Sequence, residues 1–222
     1  MARVKIGNVR TPIEYLKQFF APAGYGLGSS VRLTEKDDIN TIKTNGWYHW
    51  HRDFVPANLP TMYGTGNMTT MRVWTNDGGV CCQEIMDMTD STTSGCRVQR
   101  ILYGSDKVYE WEWVNPPMQT GIEYRTTERF KTKPVYRKIV LYNLPKEMNT
   151  DFAVPHGISN FNVLVRQFPS VGAGIPLPYT HNGNTTWVSE VTDTNILVSN
   201  SGQVWNSSYT WNFELAYTKT TD

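Results

Sequence analysis

Charged residues are scarce in this sequence, and neither sign predominates. Asp, Glu, Lys and Arg make up 18% of the 222 residues, with 21 Lys and Arg against 20 Asp and Glu. Soluble domains usually contain about 25% charged residues. A balance this close to neutral excludes both a strongly basic nucleic-acid footprint and an acidic tail. We therefore expect no nucleic-acid partner.

Long apolar runs are also missing. No segment approaches the roughly 20 consecutive apolar residues of a membrane-spanning helix. The first residues, Met-Ala-Arg-Val-Lys-Ile-Gly, lack the apolar stretch of a secretion signal. We expect a protein that is made in the cytoplasm and does not insert into a membrane.

Cysteine is rare, with Cys81, Cys82 and Cys96 as the 3 cysteines of the chain. Adjacent cysteines seldom bridge each other, and no CxxC pair or nearby histidines at ligand spacing accompany them. We expect reduced, half-buried thiols on strands, and no metal or other cofactor.

Aromatic residues reach 13% of the chain, and Thr, Asn, Gly and Ser supply much of the polarity. β-Branched and aromatic side chains pack well on strands, while Asn and Gly close tight turns. Short strand-like runs recur about every 10 residues with turn signals between them, as in antiparallel β domains. This texture predicts an all-β fold.

One helix is predicted, near the N-terminus. It begins at Thr11-Pro12-Ile13-Glu14, where Thr caps, Pro suits the first helical position and Glu can complete a capping box. Its apolar stripe cannot be buried by a single short helix, so it should dock on the body of the chain or on other copies. We assign residues 1–30 to a separate N-terminal segment that contains this short helix. The predicted contact residues are Tyr15, Leu16, Phe19 and Phe20.

Two β domains are predicted to follow, at residues 31–115 and 118–222. The consecutive prolines of Asn115-Pro116-Pro117 mark the boundary, because they disfavour both helix and central strand. The second domain is predicted to be a β-sandwich. Its last strand, Tyr209–Thr218, alternates cleanly between large apolar and mostly polar residues.

The stretch from about Asp38 to Trp113 resembles the knob domains of phage tail fibres and pyocins. The order and spacing of seven short elements carry this resemblance. These elements are Asp38-Ile39-Asn40, Gly46-Trp47-Tyr48, Asn58-Leu59-Pro60, Met71-Arg72-Val73, Cys82-Gln83-Glu84, Arg97-Val98-Gln99-Arg100 and Trp111-Glu112-Trp113.

The second half is similar to tip domains at the C-termini of phage structural proteins. The matching segments are Arg129–Lys138, Ala153–Ile158 and Ala216–Asp222. One departure is Lys131-Thr132-Lys133, where the tip-domain pattern has a Gly before Lys-Pro-Val-Tyr. This departure suggests a different turn.

Together these resemblances imply a bacteriophage virion protein. They imply a parallel homotrimer that forms a tail fibre or receptor-binding appendage and attaches the particle to a host cell. Residues 1–30 would be its virion anchor or trimer neck. Its partners would be other copies of itself, phage tail or capsid proteins through its N-terminus, and a bacterial surface receptor, most simply a glycan. Two alternatives stay open, a head fibre or capsid decoration protein and a free carbohydrate-binding module.

Receptor contact is predicted for aromatic and amide residues in turns of the second half, because an aromatic platform beside short hydrogen-bonding groups suits sugars. The alternative is ordinary loop composition. By contrast, Trp47, Trp111, Trp113 and Trp211 lie in strand-like runs and are assigned to packing. The receptor candidates are Tyr179, His181, Asn182, Asn184, Trp187, Trp205, Asn206 and Tyr209.

No catalytic function is expected. Glu110, Glu112, Glu123 and Glu128 could serve as paired carboxylates of a glycosidase, but the chain shows none of the 20–50-residue repeats of depolymerase β-helices. His49 and His51 would point to one side of a strand and could share a metal on a threefold axis. The simpler interpretation is a pair of ordinary strand histidines.

Overall fold

The computed structural model describes residues 30–60, 69–76, 79–88, 94–104, 107–144, 150–172, 174–202 and 209–222. Every regular element in these residues is a β-strand, so the all-β prediction is confirmed for this part of the chain. In the same ranges no helix is long and apolar enough to cross a membrane. The predicted residues that lie outside the described ranges are Tyr15, Leu16, Phe19, Phe20, Trp205 and Asn206.

The chain forms two compact units that divide between Trp111 and Glu112. The strands of the first unit are β1 (Val31–Arg32), β2 (Gly46–Trp50), β3 (Thr69–Thr75), β4 (Val80–Asp87), β5 (Arg97–Tyr103) and β6 (Lys107–Val108).

The first unit contains a mixed sheet in the order β1-β2-β3-β4-β5, with β6 paired to β5. All of these pairs are antiparallel except β1 with β2, which run parallel. A parallel pair needs a crossover connection. Residues 33–45 provide it, and they place Leu33 and Ile39 in the core. The prediction of a purely antiparallel first domain is therefore wrong at β1.

Side-chain alternation gives this sheet one buried and one open face. On β3, Met71 and Val73 are buried, while Arg72 between them is exposed. On β2, Tyr48 and Trp50 are buried, and Trp47 is only partly covered. The period of two along each strand fixes which residues the core takes and which remain available to solvent.

The second unit contains two sheets. Its larger sheet has the order β7-β8-β9-β16-β11-β12 and its smaller sheet the order β10-β15-β14-β13. The strands are β7 (Glu112–Asn115), β8 (Glu123–Phe130), β9 (Lys133–Leu144), β10 (Phe152–Pro155), β11 (Phe161–Val171), β12 (Ile175–Pro176), β13 (Tyr179–His181), β14 (Asn184–Val191), β15 (Asn195–Asn200) and β16 (Tyr209–Lys219).

The prolines that mark the predicted boundary lie inside this second unit. β7 pairs in parallel with β8 through Trp113 and Thr126. The segment Asn115-Pro116-Pro117 thus connects two strands of one sheet, and β7 falls with the second unit instead of the first.

One hydrophobic core joins the two sheets of the second unit, the arrangement expected of a β-sandwich. β16 supplies Trp211, Phe213, Leu215 and Tyr217, each at most 1% exposed. The smaller sheet supplies Ile196 and other aliphatic residues to the same cluster. Each large apolar side chain buried in this way stabilises the fold by about 1.5–3 kcal/mol. The alternation predicted for β16 holds from Trp211 to Leu215, but Ala216 and Thr218 on the other face are also buried.

The turn between β8 and β9 is strained. Lys131 and Thr132 both have positive φ, 48° and 71°, and Phe130 pairs with Lys133 across them. Two left-handed residues in a two-residue hairpin loop favour Gly or Asn. This is the place where the sequence departs from the tip-domain pattern, and the turn still adopts a glycine-like conformation.

Candidate functional site

Four of the predicted receptor residues meet at the end of the β13–β14 hairpin. His181 and Asn184 face each other across the two-residue turn Asn182-Gly183, whose φ values are 49° and 80°. Both central residues are left-handed, which is the type I′ geometry that Asn-Gly favours. The Tyr179 and His181 rings stack at 6.4 Å between centroids and 5° between planes. These residues form a narrow aromatic and amide surface, here called the hairpin surface.

These residues were predicted to lie in turns, but the structure places most of them on strands. Tyr179 and His181 belong to β13, and Asn184 and Trp187 belong to β14. Only Asn182 occupies the turn. The turn is shorter than the loop-like composition suggested because two residues suffice to reverse the chain.

Buried polar contacts hold the base of the hairpin surface in place. The Thr186 hydroxyl donates to the Asn200 side-chain oxygen at 2.8 Å, and both residues are at most 5% exposed. The backbone N–H of Asn200 donates to the Asp151 carboxylate at 2.7 Å. A Cβ on Gly202 would come within 3.3 Å of the Asn184 side-chain oxygen. The amide of Asn184 is therefore close-packed at this position, while His181 and Asn182 remain exposed.

The other described candidates lie elsewhere in the second unit. Trp187 pairs with Ser199 and is 36% exposed. It points to the opposite face of the sheet from Asn184, because the two residues are three positions apart on one strand. Tyr209 begins β16 in the other sheet. Its ring approaches Gly172, where a Cβ would lie 3.1 Å away. The structure brings together Tyr179, His181, Asn182 and Asn184, and it separates Trp187 and Tyr209 from them.

Three of the four carboxylates considered for catalysis, Glu112, Glu123 and Glu128, take part in ion pairs. Glu112 accepts hydrogen bonds from the guanidinium groups of Arg125 at 3.1 Å and Arg129 at 2.7 Å. Glu128 binds Arg166 at 2.6 Å. These contacts support a structural role for both residues.

The two histidines of the β2 region have separate local partners. His49 Nδ1 lies 2.9 Å from the Ser30 hydroxyl, and His51 Nδ1 lies 2.9 Å from the Asp53 carboxylate. Within the described ranges, no cluster of three or more His, Cys, Asp or Glu could hold a metal ion.

The three cysteines are free and buried, whereas half-buried thiols were expected. Cys81 and Cys82 lie on β4, and Cys96 immediately precedes β5. Burial raises the pKa of Cys82 to about 11, with a further contribution from the neighbouring Cys81. Burial also raises the pKa values of Cys81 and Cys96. These thiols are therefore neutral and unreactive near pH 7.

A buried polar network runs through the first unit. The Gln83 side chain is 0% exposed and donates to the carbonyls of Ile39 at 2.6 Å and Ile42 at 2.8 Å. Its oxygen accepts from Arg100 Nε at 2.8 Å. The Arg100 guanidinium in turn lies 4.2 Å from the centre of the Trp111 ring. Burial lowers the pKa of Arg100 to about 10.

A second set of contacts continues the network on the segment between β1 and β2. The Asp38 carboxylate accepts from the Asn40 backbone at 2.8 Å and from the Asn58 side chain at 2.7 Å. Ile39 donates its backbone N–H to Ala57. Residues far apart in sequence thus fasten the connecting segment over the buried face of the sheet.

Sequence reasoning missed the residues on the open face of this sheet. Trp47, assigned to packing, is partly exposed there, and Arg72 lies between its ring and that of Trp74 at 5.9 Å and 4.4 Å. Glu84 binds Arg72 at 3.0 Å and Arg97 at 3.1 Å. Side-chain alternation along β2 could have identified the open face, because Trp47 and Tyr48 are adjacent on the strand and cannot both face the core.

No protein-family model and no curated protein matches the sequence. Among solved structures, the chain is similar to pyocin tail fibres. An N-truncated R2-type pyocin tail fibre is 10% identical with a TM-score of 0.32, covering 87% of this chain and 99% of that chain. The R1 pyocin fibre of P. aeruginosa is 10% identical with a TM-score of 0.30, covering 90% and 69%. The R2 pyocin fibre of P. aeruginosa is 9% identical with a TM-score of 0.33, covering 88% and 68%. Structural similarity at this level does not identify a function.

Proposed function

We propose that this chain is a virion structural protein, a trimeric tail fibre or receptor-binding appendage that attaches a phage or phage-like particle to a bacterial cell. It binds and does not catalyse. In this proposal its N-terminal region joins the particle, and the hairpin surface contacts a surface glycan. A free carbohydrate-binding module and a head fibre or decoration protein are the alternatives.

The observation that carries the proposal is the buried network of the first unit. The knob resemblance rests on short elements that are far apart in sequence, and the network joins residues from several of them. Asp38, Asn58, Gln83, Arg100 and Trp111 each come from a different element. A chance match of unrelated short segments gives no reason for them to interlock. Their contact supports a real knob-like module.

The ion pairs of the second unit support the non-catalytic part of the proposal. Glu112 on β7 binds Arg125 and Arg129 on β8, and Glu128 on β8 binds Arg166 on β11. A general acid must reach its substrate, and the carboxylate oxygens of Glu112 and Glu128 already accept hydrogen bonds from arginines.

The first test is the molar mass of the purified protein in solution, measured by light scattering after size exclusion. Three chains of 25.4 kDa give 3 × 25.4 = 76.2 kDa, the mass expected for a homotrimer. A monomer of 25.4 kDa would contradict the intrinsic trimer and favour a free binding module.

The second test is binding of the labelled protein to whole bacterial cells. We expect His181→Ala and Asn182→Ala to weaken binding by about tenfold or more, equivalent to about 1.4 kcal/mol. Glu190→Gln, exposed at the far end of β14, is the matched control. Trp187→Ala tests the opposite face of the same sheet. Full binding by the variants of His181 and Asn182 would remove the hairpin surface from the proposal.

A further inference from the structure

The open face of the first-unit sheet contains a groove, defined by Trp47, Thr70, Arg72, Glu84, Met86 and Arg97. Its volume is about 150 Å³, while pockets for drug-sized ligands usually span about 300–1,000 Å³. The groove therefore fits one small group, such as a single sugar ring. It is separate from the hairpin surface, and the proposed function does not use it.

The cationic group in this groove is held in position before any ligand arrives. The Arg72 guanidinium lies over the Trp74 ring at 4.4 Å and donates to Glu84 at 3.0 Å. A stacked and hydrogen-bonded guanidinium has lost most of its rotational freedom already. Binding to it requires little further ordering of the side chain, and a low ordering penalty favours affinity.

The exposed charge of the groove is positive. Among the residues that the structure describes, two arginines and one glutamate line it, with a net charge of +1. The arginine side chains are also the accessible ones: Arg72 is 47% and Arg97 is 45% exposed, while Glu84 is 13% exposed. A ligand therefore meets guanidinium N–H donors, with the carboxylate beneath them. Guanidinium groups suit carboxylate and phosphate partners.

Apart from Thr70, the rest of the groove is apolar. Trp47 lies opposite Arg72 on the neighbouring strand, and Met86 lies opposite Arg97. An indole ring offers a flat apolar surface to the C–H face of a sugar. A wall of this kind beside fixed cationic donors selects a ligand that has both a ring and an anionic group.

We propose that this groove binds an acidic monosaccharide unit, with the sugar ring against Trp47 and its carboxylate or phosphate at Arg72 and Arg97. That such a unit belongs to a bacterial surface polymer rests on the proposed function. The recognition itself rests only on the groove.

The test uses the full chain, labelled with ¹⁵N, and follows the indole N–H signal of Trp47 by NMR. The probes are D-glucuronate, glucose 6-phosphate, methyl α-D-glucopyranoside and inorganic phosphate. We expect saturable shifts with the first two, and binding of the neutral glucoside and of inorganic phosphate weaker by about tenfold or more. Equal binding of the neutral glucoside would overturn the role of the arginines. Equal binding of inorganic phosphate would overturn recognition of the ring.

Substitutions locate the response. Arg72→Ala and Arg72→Lys should each reduce affinity for D-glucuronate by about tenfold, since Lys keeps the charge and loses the planar fork. Arg32→Ala is the matched control, because Arg32 is also exposed on this sheet and stacks on Phe54. Unchanged affinity in both folded Arg72 variants, or no saturable shift in the wild-type protein, refutes the proposal. Neither result affects the molar-mass and cell-binding tests, so failure of the groove and failure of the proposed function are distinguishable.

Discussion

Replacing Gln83 by Leu should strongly destabilise the first unit. The Gln83 side chain is 0% exposed and makes three hydrogen bonds, to Ile39, to Ile42 and with Arg100. Leu has a similar volume, so the substitution removes these bonds with little change in packing. The partner groups stay buried, and the Arg100 Nε loses its acceptor.

The magnitude follows from the kinds of bond that are lost. Two neutral hydrogen bonds contribute about 0.5–1.5 kcal/mol each, and one to a charged group contributes about 1.5–3 kcal/mol. We therefore expect a loss of about 2.5–6 kcal/mol in the free energy of unfolding. That is a large part of the roughly 5–15 kcal/mol typical of a domain.

The assay must report on the first unit alone, and the thiols do this. Cys81, Cys82 and Cys96 all lie in that unit and are buried, so their reaction with a thiol reagent in increasing urea follows its unfolding. Gln99→Leu is the matched control, since Gln99 is only partly buried on the neighbouring strand β5, where substitutions usually change stability by less than about 0.5 kcal/mol. A Gln83→Leu variant within about 1 kcal/mol of the wild type would refute the reasoning, because the network would then contribute little.

Three further predictions concern groups with unusual environments. At pH 8, Cys82, with a pKa of about 11, is thiolate in roughly one molecule per thousand. The native protein should therefore react negligibly with a thiol reagent, while all 3 cysteines of the urea-unfolded protein should react. Fast labelling of the native protein would contradict the burial of these thiols. Burial and the hydrogen bond to Asp222 raise the pKa of Tyr136 from 10.0 to about 12. The folded state thus holds this proton more tightly than the unfolded state, and the resulting stability is present below pH 10 and is lost as the pH rises towards 12. In urea unfolding curves, the difference between wild type and Tyr136→Phe should shrink over that range, and a constant difference would disprove the linkage. Thr132→Asn should raise stability by up to about 1 kcal/mol, because Asn tolerates a left-handed backbone better than Thr; a lower urea midpoint would show that this turn is not strained.

Strand parity made part of this fold predictable. Trp211, Phe213, Leu215 and Tyr217 alternate over enough positions to predict that their face of β16 is buried. The same rule, applied to Trp47 and Tyr48, would have placed Trp47 on the open face. The error came from assigning aromatic residues to the core by type, without asking which face each occupies.

Long-range partners were not predictable in this way. Gln83 finds its acceptors on a segment more than 40 positions earlier in the chain, and no local pattern in β4 marks that choice. The parallel pairing of β1 with β2 has the same origin, since it depends on where the connecting segment crosses the sheet. The receptor candidates were chosen by composition, and composition cannot tell that Trp187 and Asn184 lie on opposite faces of β14.

Adjacent residues on β4 have different roles, because their side chains point to opposite faces of the sheet. Gln83 points into the core and holds the network, while Glu84, next to it, points outwards and positions Arg72 and Arg97. Because neighbouring side chains on a strand share no contacts across the sheet, substitutions at the groove should leave the network intact. Glu84→Gln tests this directly: it removes the charge that fixes both arginines, so it should change D-glucuronate binding while the thiol-monitored unfolding midpoint moves little. A fold held from one face can vary the ligand recognised on the other.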